Sequence, residues 1–425
     1  MVHRREMSRV LATLMFLSLP LALGAVEDSC RFDEVTFSSE FEGARLSECR
    51  RLGDSAFELL IEPESVPIND SPWYAFRLEF GEGAPLRPLE LHLRYGDGTH
   101  RYRPKVLLEG ESEEAQWQGV APGRLETGEA GRTSVFEVTP SSRSFMVSAQ
   151  PLLTNADHRG FVRSLARHED ASSEILGRSA EGRPIEGVRI GEAAESGPWI
   201  VLLGRQHPPE VPGALALQTF MRQLLEDTEL ARRFRSAFRV LAIPNLNPDG
   251  VARGHWRLNA NHVDLNRDWG PFSQPATRTV GSTLEKLGSP HPGGGVWLLL
   301  DFHSTHRDVF YTQLEPPKLS LPSFTSCWLD GVDEALPEYD VARAPRHLAE
   351  GTTAKAWATR VLGAPAITYE VGDATDRAVV ERVARTAARE LMATLLSVQR
   401  QARGPCDSAC LPCLIPQSLQ PAGPE

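Results

Sequence analysis

Along the chain, the spacing of apolar and polar positions changes character near residue 156. Before that point, Phe76-Arg77-Leu78-Glu79-Phe80 and Leu89-Glu90-Leu91-His92-Leu93 place every second side chain on an apolar face, the period of a half-buried strand. Val135-Phe136-Glu137-Val138 and Ser144-Phe145-Met146-Val147 continue the rhythm, and Gly96-Asp97-Gly98 and Glu109-Gly110 supply turn residues between such runs. Many short strands at this spacing close most simply as an all-β sandwich, expected over residues 26–152. After the change come short continuous apolar runs, Trp199–Leu203, Val240–Ile243 and Val296–Leu300, with a looser one from Ala364 to Tyr369. Helical patterns such as Ala214–Leu225 and Ala378–Val398 separate or follow them. Buried strands alternating with helices predict an α/β domain over residues 157–401, with a mixed, largely parallel sheet and helices on both faces. In such sheets chemistry gathers at the carboxyl ends of the strands.

The two ends read differently. His3, Arg4, Arg5 and Arg9 precede an apolar run from Val10 to Leu23, and Ala22, Gly24 and Ala25 offer a small-residue cleavage site. Residues 1–25 are therefore expected to be a signal peptide. Its apolar run is shorter than the roughly 20 residues a membrane span needs. The expected location is secreted or periplasmic, with no stable membrane anchor after cleavage. An oxidising compartment makes Cys30–Cys49 an expected disulfide. Cys327 stands apart, and Cys406, Cys410 and Cys413 fall in a Pro- and Cys-containing tail, residues 402–425, where they are structural or form a tail disulfide. A net charge of -11 without clustered Lys or Arg excludes nucleic acid and anionic membrane as the main partner.

Candidate chemistry sits where the apolar runs end. The first is followed by Gly204-Arg205-Gln206-His207-Pro208-Pro209-Glu210. An H-x-x-E pair can wrap a metal from two sides, although taken alone it reads better as a solvated surface loop. The third run is followed by Asp301-Phe302-His303-Ser304, which adds a second histidine. Two His and one Glu with an open fourth position make a catalytic zinc set, since structural sites are closed and usually thiolate-rich. His306 is expected outside that set. Glu370 ends the last run, where a carboxylate is costly unless it has a partner or a job.

Between these lies Arg257-Leu258-Asn259-Ala260-Asn261-His262-Val263-Asp264-Leu265-Asn266-Arg267-Asp268-Trp269. With the H-x-x-E pair before it and the single His and the Glu after it, this order resembles the zinc carboxypeptidase family (carboxypeptidases A and B and the regulatory carboxypeptidases). Leu246-Asn247-Pro248-Asp249-Gly250 resembles a further signature of that family, and the match runs over roughly residues 160–400. The resemblance implies that His207, Glu210 and His303 hold one Zn²⁺ per chain, with Asp264 orienting the His207 ring. Asn266 and Arg267 would clamp the terminal carboxylate of a peptide or protein substrate, and Arg257 would stabilise the developing oxyanion. Glu370 would act as general base towards the attacking water and then as general acid towards the leaving amine.

Phe41-Glu42-Gly43-Ala44-Arg45-Leu46 and Trp73-Tyr74-Ala75-Phe76-Arg77 resemble the β-domain that precedes the catalytic domain in cytosolic carboxypeptidases, the tubulin deglutamylase group. An export signal suits a bacterial relative. The family's usual N-R-N is Asn266-Arg267-Asp268 here, and Leu348 stands where carboxypeptidase A-type enzymes carry a mobile substrate-binding Tyr. Fifteen positions before Glu370, where that family places the floor of its specificity pocket, stands Lys355. It either selects acidic C-terminal residues or points to solvent from a helix. The implied function is C-terminal peptide-bond hydrolysis. The alternatives are hydrolysis of peptidoglycan stem peptides with the same zinc site, and a non-catalytic peptide-binding protein on this fold. Oligomeric state is not legible.

Overall fold

Ten short strands build the amino-terminal part: β1 (Val35–Ser38), β2 (Glu48–Arg51), β3 (Ala56–Ile61), β4 (Ala75–Phe80), β5 (Leu89–Tyr95), β6 (Lys105–Leu108), β7 (Trp117–Gly119), β8 (Leu125–Thr127), β9 (Thr133–Val138) and β10 (Ser144–Ser148). This is a computed structural model, and it describes residues 30–401 except 109–116, 122–123, 193–196, 292, 314–318, 320, 322 and 346–350. The expected signal peptide, the tail with its three cysteines, and Leu348 lie outside the described residues. The strands form two five-stranded sheets, ordered β1-β4-β10-β6-β7 and β2-β3-β5-β9-β8. The alternation read from the sequence is what packs them. Phe57, Leu59 and Ile61 of β3 and Leu91 and Leu93 of β5 share one core with Phe76 and Leu78 of β4 and Phe145 and Val147 of β10. Cys30 and Cys49 are disulfide-bonded, and no described cysteine is free.

The second part is one eight-stranded sheet: β11 (Ala171–Arg178), β12 (Pro184–Ile190), β13 (Trp199–Gly204), β14 (Arg239–Ile243), β15 (Val296–Thr305), β16 (Val309–Thr312), β17 (Arg343–Pro345) and β18 (Ala366–Gly372). Its order is β11-β12-β14-β13-β15-β18-β16-β17. The central strands β14, β13, β15 and β18 run parallel, and antiparallel pairings flank them. The helices are α1 (Asn155–Leu165), α2 (Val211–Leu224), α3 (Glu229–Ala237), α4 (Pro248–Arg253), α5 (Pro275–Leu287), α6 (Phe324–Ala335), α7 (Ala354–Trp357) and α8 (Arg377–Gln401). Both faces of the sheet are covered. Ile200, Leu202, Leu298 and Leu300 pack with Phe220 of α2, Trp328 of α6 and Leu391 of α8. Val201, Leu203 and Leu299 pack on the other side with Val280 and Leu284 of α5 and Trp357 of α7. Successive strand residues point to opposite faces, so a sheet buried on both sides needs unbroken apolar strands.

The two parts meet beside the carboxyl ends of the central strands. Arg101 pairs with Asp373, just past β18, at 2.8 Å, and both side chains are largely buried. Gln150 Nε2 donates to the Asp373 carbonyl at 2.8 Å. Trp256, from the loop after α4, buries its ring in the sandwich core. Gly254 has φ 58, and a Cβ there would come within 2.5 Å of the Ala44 carbonyl oxygen, so close packing of the two backbones requires glycine.

Candidate active site

The chain leaves β13 at Gly204 and turns back sharply. Arg205 has φ 53, is buried, and donates from Nε and Nη2 to the Pro208 carbonyl at 3.0 and 2.7 Å, which pins the turn. Burial lowers its pKa to about 10. The turn folds His207 onto Glu210, the residue that opens α2. His207 Nδ1 lies 2.8 Å from Glu210 Oε1, and His303 Nδ1, from β15, lies 2.6 Å from Glu210 Oε2. The first turn of α2 presses on the His303 backbone: a Cβ on Gly213 would sit 2.3 Å from the His303 carbonyl oxygen. The three candidate ligands are buried, their donor atoms lie within 4.8 Å of one another, and they form the one such group among the described residues. His306 is exposed and outside it, as expected.

Each imidazole turns its other nitrogen to a carboxylate. His207 Nε2 is 2.9 Å from Asp264 Oδ1, and His303 Nε2 is 2.9 Å from Asp301 Oδ2. A carboxylate at Nε2 assigns the proton there and leaves the Nδ1 lone pair facing Glu210, which is how metal-binding histidines are usually held. Sequence reasoning assigned Asp264 and missed Asp301. The signal was present, since Asp301 and His303 are two apart on one strand and so share a face. Gln206 Nε2 donates to Asp301 Oδ2 at 2.7 Å, and Trp269 Nε1 donates to Gln206 Oε1 at 2.9 Å.

Electrostatics follow from this packing. Burial pushes Glu210 and Asp264 upward, but the His207 and His303 rings for Glu210, and His207 and Arg257 for Asp264, hold both below the usual carboxylate range. Burial opposes charge on His303, yet Asp301 and Glu210 raise it well above its ordinary value. Glu370, on β18, is in register with His303 on β15. Its Oε2 is shielded from solvent and has no hydrogen-bond partner among the described residues. Burial pushes Glu370 up to about 7; the neighbouring histidines oppose the shift and Glu210 assists it.

The Arg257–Trp269 segment closes one side. Arg257 Nε donates to Asp264 Oδ2 at 2.7 Å, so one carboxylate orients both His207 and Arg257. Asn266 is buried, with Oδ1 accepting from Ala354 N at 3.0 Å and Nδ2 lying 3.2 Å from His303 Nε2. Arg267 is exposed, with Nη1 donating to the Asn266 carbonyl at 2.8 Å. Lys355, one residue past the Asn266 contact, does not point to solvent: it is buried, and Nζ donates to the Thr312 carbonyl at 3.1 Å. The departure at Asp268 has a local reason. Its carboxylate accepts from Ser273 N, Ser273 Oγ and Gln274 N at 2.9, 2.7 and 2.9 Å, and from Thr277 Oγ1, so it fastens the start of α5. Asn247 caps α4 through Gly250 N at 2.9 Å and donates to the Gln206 carbonyl at 3.1 Å, bracing the loop that carries His207.

Two imidazole nitrogens and one carboxylate around a common point, backed by further carboxylates, fit a divalent metal of the zinc type, and a raised glutamate beside them defines the class of metal-dependent hydrolases. Residues 161–311 match the zinc carboxypeptidase family (Peptidase_M14). An uncharacterized protein of Zymomonas mobilis is 32% identical over 262 residues, covering 59% of this chain and 64% of that protein. Cytosolic carboxypeptidase 6 of Mus musculus is 22% identical over 300 residues, covering 65% of this chain and 54% of that protein. The chain thus spans under two thirds of the length of either relative. A metallo-carboxypeptidase from Burkholderia cenocepacia shares the fold with a TM-score of 0.71 at 19% identity, over 87% of this chain and 100% of that one. A Pseudomonas aeruginosa metallo-carboxypeptidase, solved in complex with (2-guanidinoethylmercapto)succinic acid, gives 0.70 at 18% identity, over 85% and 99%.

Proposed function

We propose that this protein is a zinc metallocarboxypeptidase that hydrolyses the C-terminal peptide bond of peptides or proteins, with a preference for acidic C-terminal residues. One observation carries the reading: His207, Glu210 and His303 converge on a point beside Glu370, whose Oε2 has no hydrogen-bond partner among the described residues. His207 Nδ1, His303 Nδ1 and the Glu210 carboxylate would hold one Zn²⁺. When bound, that ion supplies a Lewis acid for the scissile carbonyl and lowers the pKa of water.

The chain's own residues do the rest. Glu370 takes the proton of the attacking water and returns it to the leaving amine, a role for which a pKa near neutrality is suited. Asp264 occupies Arg257 Nε and thereby aims the guanidinium, whose Nη groups have no hydrogen-bond partner among the described residues, at the developing oxyanion. Arg267 receives the substrate's terminal carboxylate by a charge-assisted fork, and Asn266 shapes that end of the site. Lys355 selects the side chain: a buried ammonium favours a carboxylate opposite it. The Cys30–Cys49 disulfide supports export to an oxidising compartment.

Matched peptides ending in Glu, Leu and Lys, digested with and without chelator and read by mass spectrometry, test the proposal. Chelator-sensitive release of single C-terminal residues, fastest from the Glu peptide, is expected, with that preference lost in Lys355→Ala. Internal cleavage, or no cleavage, overturns the activity. Equal rates on all three ends overturn the selectivity alone.

A further inference from the structure

We infer that Glu64, a residue of the β-sandwich, is a positioning residue for Arg257, so that the active site is completed across the domain boundary. The inference rests on the carboxypeptidase reading for what Arg257 does, and on geometry alone for what Glu64 does.

The loop 255–258 follows α4 and has no regular structure of its own. Its backbone donors therefore need acceptors from elsewhere. Glu64, in the connection between β3 and β4, provides them with one carboxylate. Oε2 accepts from Trp256 N at 2.8 Å, and Oε1 accepts from Arg257 N at 2.9 Å and Leu258 N at 2.8 Å. Three consecutive N–H groups converging on one anion fix both the position and the rotation of that stretch, and a charged acceptor makes each bond stronger than a neutral one. The neighbouring side chains divide between the two domains. Trp256 buries its ring in the sandwich core, while Arg257 reaches the other way to Asp264, which also holds His207. A continuous set of contacts thus runs from the β-sandwich through Glu64, the Arg257 backbone and Asp264 to His207.

The Arg257 side chain is held through Nε by Asp264, and its root, the backbone N–H, is held by Glu64. Removing the root allows the loop to shift, and with it the Nη groups that the proposed reaction uses. Loss of a single oxyanion donor costs about 10²–10³ in rate, and a misplacement of about 1 Å can cost about 10². Glu64→Ala is therefore expected to lower kcat about 10–100-fold with KM within about twofold, since ground-state binding by Arg267 is untouched.

Three measurements decide it. Steady-state kinetics are run on wild type, Glu64→Ala, Arg257→Ala and the double variant; if Glu64 acts through Arg257, adding Glu64→Ala to Arg257→Ala changes kcat by less than about twofold. Hydrogen exchange followed at the amides of residues 256–258 should lose protection in Glu64→Ala. Glu42→Ala, which removes another interface bond (to Asn155 N, 2.9 Å) without touching this loop, should keep wild-type kcat. If Glu64→Ala does not fold, Glu64→Gln is read the same way, because its amide must turn an NH₂ towards at least one of the three donors. The inference is overturned by a kcat within about twofold of wild type, by an equal loss in the Arg257→Ala background, by an equal loss in Glu42→Ala, or by unchanged exchange at 256–258. A wild type that hydrolyses no peptide sinks the carboxypeptidase reading instead, and the exchange result still decides whether Glu64 holds the loop.

Discussion

Replacing Asp301 with asparagine separates two quantities that the geometry couples. Asp301 is fully buried, and its Oδ2 lies 2.9 Å from His303 Nε2 and accepts from Gln206 Nε2 at 2.7 Å. An asparagine oxygen at the Oδ2 position can keep both contacts, but the amide NH₂ then takes the place of Oδ1, which is buried and has no hydrogen-bond partner among the described residues. A buried donor left unpaired costs about 1–3 kcal/mol, and that cost falls on the folded protein whether or not metal is bound. It should appear as a lower Tm of the metal-free protein. The second quantity is the charge. The carboxylate sits behind the ring of a proposed ligand, and losing such a partner typically weakens metal binding by about 10–100-fold, or about 1.4–2.8 kcal/mol. Competition for Zn²⁺ against a chromophoric chelator at neutral pH measures this directly, with Asp264→Asn as the matched change behind His207. A Zn²⁺ Kd for Asp301→Asn within about twofold of wild type would refute the assignment, even if the Tm fell, since Asp301 would then be a packing residue only.

Glu370→Gln should retain Zn²⁺ and lose about 10²–10⁴ in kcat, because the amide cannot accept the proton; metal analysis beside kinetics checks both halves. As a base Glu370 works ionised, so activity is lost as pH falls through its pKa. Burial places that pKa at about 7 and a bound dication opposes the shift, so the acid limb of kcat/KM should lie at or below pH 7. Chelation should abolish hydrolysis and lower Tm, with recovery complete at about one Zn²⁺ per chain by titration, since a ligand at 100 times its Kd stabilises by about 2.7 kcal/mol.

The positions of the proposed ligands were legible because buried parallel strands announce themselves. A sheet covered on both faces demands unbroken apolar runs, and the first polar residues after such a run must lie at its carboxyl edge. That logic points to the strand ends that carry His207, His303 and Glu370. Asp301 escaped it because it stands inside β15, flanked by Leu300 and Phe302, where a carboxylate looks like the end of the run and not like a partner for the residue two positions on. Asp268 was read as a departure from a binding motif, and its four contacts to 273–277 are local helix-capping chemistry that the motif comparison hides. Glu64 and Trp256 were not legible at all. Their partners lie in the other domain, nearly two hundred residues away for the Glu64 bonds, and no local periodicity encodes a contact set by how two folded bodies dock. The same holds for the parallel pairing of β3 with β5 inside an otherwise antiparallel sandwich.

Charge balance ties these elements to one state of the site. Three carboxylates, Glu210, Asp264 and Asp301, surround the two histidines, with Arg257 paired to Asp264 and the buried Arg205 facing Glu210. Imidazoles bind metal only in their neutral form, so His207 and His303 add nothing to the count when they act as ligands. Carboxylates still outnumber the guanidinium groups that face them, and a divalent cation would offset that excess. Burying that excess unbalanced is costly, and a proton on His303 is the available relief, which is why its pKa rises so far above the ordinary value. A dication at the Nδ1 atoms relieves the same excess and displaces that proton. Glu370 is a further carboxylate beside them, and burial pushes it towards neutrality. Burial thus acts on the group that the proposed reaction requires to take up and release a proton.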